Sequence, residues 1–140
     1  MENSPENVAR AGDTAAEGES DDLLLWQPQE AETRVIALLD PYLNFERTDE
    51  LKPRLAALIE RETANGARRF ILDLAKTGVI DSCGLAVLVS LERQIDESGG
   101  RLVLCGLSDL LLRLFELTRL ERVFTILPDV DQALAARSEP

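Results

Sequence analysis

The sequence predicts an α/β domain built on one mostly parallel sheet. Three observations carry this. Short apolar runs rich in β-branched residues alternate with stretches whose apolar residues recur at helical spacing. Turn chemistry separates them: Asp40-Pro41, Asn65-Gly66 and Ser98-Gly99-Gly100. Two of the runs, residues 68–75 and 101–107, have few polar interruptions, the pattern of strands covered on both faces. A chain of 140 residues suits one core, here about five strands with about four helices.

The elements follow in order. Residues 1–21 hold almost no large apolar side chains and cannot offset their ordering entropy by burial, so a disordered acidic tail is expected, with the folded domain over 22–140. "LLLWQ" (23–27) reads as a strand with Trp26 as a packing residue. "RVIALL" (34–39) reads as a second strand, ended by Asp40-Pro41. Their closeness in sequence predicts an antiparallel pair. A helix is expected over 46–66, with Leu51, Leu55, Leu58 and Ile59 on its apolar face. Thr48 is its N-cap candidate, which puts Pro53 in the first turn, where a missing N–H costs little.

Residues 68–75 form the third strand. A second helix starts near Ser82, with Leu85, Leu88, Val89 and Ile95 on one side, and stops at 98–100. Residues 101–107 give the fourth strand. Ser108 and Asp109 cap a third helix that runs to about Glu116. Residues 124–127 are a short fifth strand, and Pro128 opens a last helix. The order β, β, α, β, α, β, α, β, α implies crossover connections and a parallel sheet after the opening pair.

Composition narrows function. The formal net charge of −11 argues against nucleic acid or an anionic membrane surface as a partner. There is no histidine, which removes the commonest general base and most zinc sites. Cys83 and Cys105 are too few for a disulfide framework and lack a CxxC spacing; reduced thiols in a cytoplasm are expected, with Cys83 a small residue packed at a helix start. No apolar run reaches the ~20 residues of a membrane span, so no membrane insertion is expected. The N-terminal residues lack the basic and apolar regions of a signal peptide. Phosphate-binding glycine loops and kinase signatures are absent. Glu60, Glu62, Glu92 and Glu97 lie on helix faces, where solvated carboxylates are expected. No cofactor, metal or enzymatic activity is expected.

One junction stands out: Ile80-Asp81-Ser82-Cys83-Gly84-Leu85. A strand has just ended and a helix begins, and in α/β sheets function gathers beyond the carboxyl ends of strands. Asp81 or Ser82 can cap this helix by accepting a backbone N–H, and Gly84 allows close packing.

This junction and its surroundings resemble the STAS domain of the anti-sigma factor antagonist family. Residues 70–126 follow that family's run: a strand, a D-S-[SAC]-G-L helix start, a Gly-Gly helix end, an apolar strand and "RLFELT" near the end of the next helix. Upstream, residues 34–55 align without gaps on the family's strand, loop and first helix. The resemblance spans residues 23–136. It implies a binding switch without catalysis, in which Ser82 is the phosphoacceptor. It implies as partners an anti-sigma factor with serine kinase activity, bound when Ser82 is unmodified, and a phosphatase that restores that state. The chain is then a cytoplasmic monomer that forms heterocomplexes and regulates transcription by freeing a sigma factor. Asp81, Ser82, Cys83, Gly84 and Leu85 form the implied partner-binding site, together with Asn44 and Phe45 of the loop 40–45. Pro41 stands where the family usually has Gly, Asn44 where it has Asp, and Arg47 where a small residue is common; Asn44 keeps an acceptor oxygen but loses a charge. A STAS module serving as a structural subunit of a signalling scaffold or lipid-transporter complex is the alternative.

Overall fold

The computed structural model describes residues 23–27 and 31–136, and of Trp26 the backbone alone. The tail expected at 1–21 and the packing role of Trp26 lie outside what is described. Seven strands and four α-helices follow one another: β1 (Leu23–Trp26), β2 (Thr33–Leu38), β3 (Tyr42–Leu43), α1 (Phe45–Ala64), β4 (Arg69–Asp73), β5 (Val79–Ile80), α2 (Ser82–Glu97), β6 (Arg101–Cys105), α3 (Asp109–Leu117), β7 (Thr125–Leu127) and α4 (Val130–Ala135). The central sheet has the order β1-β2-β4-β6-β7. Its first pair is antiparallel and the other three are parallel, as the element order predicts.

Alternate residues of each strand go to opposite faces. Leu25, Ile36, Phe70, Leu72, Leu102 and Leu104 pack under α1, α2 and α3 in the main core. Val35, Ile71, Val103 and Cys105 face α4 through Ala133. The central strands are thus buried on both faces, which accounts for their unbroken apolar runs.

Four expectations are corrected. α1 begins at Phe45, and its N-cap is Asn44, whose side chain accepts from the Glu46 N–H at 3.2 Å. Thr48 is a buried residue inside this helix, and Pro53 lies two turns in. Pro53 therefore removes one bond of the helix ladder, the one that Asp49 C=O would accept. Pro128 precedes α4, which is capped by Asp129 through the Gln132 N–H at 2.8 Å. Glu62 is buried and not solvated: its Oε1 accepts from Arg34 Nε at 2.6 Å, and Arg34 is itself buried.

The apolar pattern also missed a second, two-stranded parallel sheet. β3 pairs with β5, Tyr42 opposite Val79 and Leu43 opposite Ile80. This small sheet lies beyond the carboxyl ends of β2 and β4. It lines up the two chain segments that enter α1 and α2.

Candidate functional site: a paired helix start at Asp81 and Ser82

β3 and β5 deliver Asn44 and Asp81 side by side, each as the N-cap of a long helix. Asp81 Oδ1 accepts from the Gly84 N–H at 3.0 Å, and Oδ2 accepts from the Phe45 N–H, also at 3.0 Å. One carboxylate therefore satisfies donors at the starts of both α1 and α2, groups that no intrahelical partner can serve. The bond to Gly84, and after it the one to Phe45, holds the Asp81 carboxyl below its ordinary range.

The junction also needs Gly84. A Cβ there would come within 2.1 Å of the Leu43 carbonyl oxygen, so β3 can approach the first turn of α2 only because the side chain is missing. Gly84 is buried, and Leu85 is half-buried against the main core. These two residues shape the junction from behind.

Ser82 is the first residue of α2, and it is exposed. Asp81, and not Ser82, is the cap. The Ser82 hydroxyl makes no hydrogen bond among the described residues. Cys83 is exposed as well and is not the packed residue the sequence suggested; its neighbour Gly84 takes the tight position, and Cys83 falls on the outer side of the turn. Phe45 is 62% exposed, and Asn44 half-buried. Across the loop, Asp40 Oδ1 accepts from the Tyr42 N–H at 2.9 Å, and Asp40 Oδ2 pairs with Arg47 Nε at 3.0 Å. Arg47 thus braces the loop 40–45 from the first turn of α1.

The result is a junction with an exposed Ser82 hydroxyl and with exposed Tyr42, Phe45 and Val79 on the adjoining β3, α1 and β5. A helix start presents N–H groups and the positive end of a dipole, so an added phosphate is accommodated there. Among the described residues no group of three or more Cys, Asp or Glu side chains is placed to hold a metal ion. No described helix is long and apolar enough to cross a membrane.

Comparison with known proteins matches the STAS domain family over residues 27–133. The chain belongs to the STAS domain family. Within it, this STAS domain is 31% identical over 102 residues to a candidate anti-sigma factor antagonist, BtrV, of Bordetella bronchiseptica, an alignment covering 73% of this chain and 84% of BtrV. Two solved structures share its fold. One is an anti-sigma factor antagonist (STAS) domain protein from Planctomyces limnophilus, with TM-score 0.72 and 21% identity, covering 84% of this chain and 99% of that one. The other is the Bacillus cell fate determinant SpoIIAA in its phosphorylated form, with TM-score 0.59 and 17% identity, covering 84% and 99%. The alignment with BtrV thus places this STAS domain in the anti-sigma factor antagonist family, and the two solved structures show the shared fold.

Sequence reasoning missed the apolar residues around the junction. Val79, Leu110 and Leu117 are exposed, and with Gly78, Ile80 and Leu114 they line a groove of about 270 Å³ between β5 and α3. The signal was present as the run Leu110-Leu111-Leu112, which makes α3 apolar on more faces than the core can cover.

Proposed function

We propose that this STAS domain is an anti-sigma factor antagonist switched at Ser82. It binds an anti-sigma factor with serine kinase activity while Ser82 is unmodified, and this releases a sigma factor to transcription. The kinase transfers the γ-phosphoryl group of its bound ATP to Ser82 Oγ: the new O–P bond forms, the bond to ADP breaks, and the hydroxyl proton is lost. Phosphorylation ends the complex, and a phosphatase restores it. The chain itself supplies an acceptor and a docking face and does no catalysis.

The observation that carries this reading is the division of labour at the start of α2. Asp81 performs the capping, so the exposed Ser82 hydroxyl has no structural task. A phosphate adds about −1.5 to −2 charges at that atom, as P–O groups that the helix start tolerates but a packed interface does not. Asp81 beside it adds like charge. Binding is lost while the fold persists. SpoIIAA, which shares the fold, is known in a phosphorylated form.

The test is phosphorylation by the kinase-type anti-sigma factor of the same organism with ATP, mapped by mass spectrometry. A single phosphate on Ser82, abolished in Ser82→Ala, is expected. Ser82→Asp is expected to unfold with the wild-type transition and to lose the partner in titration calorimetry. A phosphate on another residue, or undiminished binding by Ser82→Asp, overturns the switch. Capture of a transporter ATPase subunit in place of a kinase favours the structural-subunit reading.

A further inference from the structure

The groove between β5 and α3 adjoins the Ser82 junction, because Val79 and Ile80 form its wall and run directly into Asp81 and Ser82. Its other wall is a stripe of Leu110, Leu114 and Leu117, spaced i, i+4, i+7 along α3. Leu110 is 71% exposed and Leu117 74%. Neither contributes appreciably to the core. An exposed leucine stripe on a helix is the pattern that a second amphipathic helix packs against.

The chain carries a formal net charge of −11, and carboxylates gather at one pole of the sheet. At the Ser82 pole the strands lead into aspartates: Asp40 after β2, Asp73 ending β4, Asp81 after β5, Asp109 opening α3 after β6, and Asp129 after β7. Glu46, in the first turn of α1, adds to them. The cations there are Arg47 (paired with Asp40), Lys76, and the exposed Arg113, which lines the groove one turn after Asp109 on α3. An apolar groove on a strongly acidic chain complements an apolar stripe flanked by lysine and arginine.

We infer that the β5–α3 groove receives a basic amphipathic helix of the protein partner, as a second docking point beside Ser82. This rests on the proposed partner-binding role of the Ser82 face. The two points divide the work. Charges around the groove steer association, and contact at Ser82 sets how long the complex lasts. A phosphate on Ser82 therefore acts on dissociation, although it leaves the pole still more acidic.

The test uses the full, nitrogen-labelled chain and a synthetic amphipathic helix of leucine and lysine, with a leucine–glutamate helix of the same pattern as control. The lysine peptide is expected to shift the amide resonances of Val79, Ile80 and residues 110–117 saturably. The glutamate peptide is expected not to. Leu110→Ser with Leu117→Ser, both at exposed positions, is expected to weaken the lysine peptide by about tenfold or more. Equal binding of the two peptides, shifts centred elsewhere, or no saturation overturns the inference. So does a wild-type dimer in sedimentation that this double variant dissociates, since a second copy then fills the groove. A kinase that phosphorylates Ser82 but binds wild type and double variant equally overturns the groove alone. Peptide binding without any phosphorylation of Ser82 overturns the switch and leaves the groove standing.

Discussion

Phe45 and Asp81 are joined across 36 residues of sequence: the Phe45 N–H donates to Asp81 Oδ2 at 3.0 Å while the other carboxylate oxygen caps α2. This ties the start of α1 to the residue that precedes Ser82. The backbone that carries the exposed Phe45 is consequently held beside the start of α2, where Ser82 lies.

The charge on Asp81 makes this tie pH-dependent. Its folded-state pKa is lowered, chiefly by the Gly84 N–H, so its stabilisation is complete above the unfolded value near 3.8 and is lost as pH falls through the folded value. Asp81→Asn has one acceptor oxygen in place of two, so it can serve Gly84 or Phe45 but not both. The urea midpoint of Asp81→Asn is expected to lie below wild type at neutral pH, and the gap is expected to close in acid. A gap of constant size between neutral pH and acid would show that the charge plays no part.

Gly84→Ala tests the close approach of β3 to α2. The new Cβ would meet the Leu43 carbonyl oxygen at 2.1 Å, and both partners are backbone. A loss of about 3 kcal/mol is expected from overpacking of this kind. Gly66→Ala is the control: nothing lies within 4 Å, but φ is +103°. It is expected to cost about 1–2 kcal/mol, from left-handed strain alone. Chemical denaturation of the two variants separates the contributions.

The sheet order and the Asp81–Ser82 junction were legible because strong periodicity and a compact motif report on local structure. What was lost depended on contacts between distant segments. β3 and β5 are two residues each, too short to show alternation, and each exists through the other. Thr48 looked like the cap of α1 because the first apolar-periodic residue is Leu51; the helix begins six residues before it with an exposed Phe45 and capping by Asn44. Glu62 read as solvated because its partner, Arg34, lies 28 residues away on β2. None of these pairings leaves a mark in a single window of sequence.

The Arg34–Glu62 pair carries its own expectation. Arg34 Nε reaches Glu62 Oε1 at 2.6 Å, and Nη1 donates to the Ala31 and Thr33 carbonyls at 2.6 and 3.2 Å. Removing one partner leaves a buried charge without its counter-ion. Glu62→Ala is therefore expected to cost about 3–5 kcal/mol in urea unfolding, whereas Arg34→Met with Glu62→Leu recovers most of that loss. A double variant whose loss equals the sum of the Arg34→Met and Glu62→Leu losses would show that the two charges act independently.

The two thiols are expected to differ sharply in reactivity. Cys105 is fully buried, and burial, with Asp73 and Asp129 adding to it, pushes its pKa up to about 12. It stays protonated at neutral pH and has no access to reagent. Cys83 is exposed on the first turn of α2, beside Ser82. One thiol per chain is expected to react with a disulfide reagent in the native state, and the second only after unfolding. Alkylation of Cys83 then probes the docking face directly. Iodoacetate attaches a carboxylate through a new S–C bond with loss of iodide, next to the atom that phosphorylation would charge; iodoacetamide adds nearly the same bulk without charge. Partner binding is expected to fall further with the carboxylate than with the amide, in a native-fold protein. Equal binding by both adducts and the unmodified chain would place Cys83, and with it this side of the Ser82 turn, outside the interface.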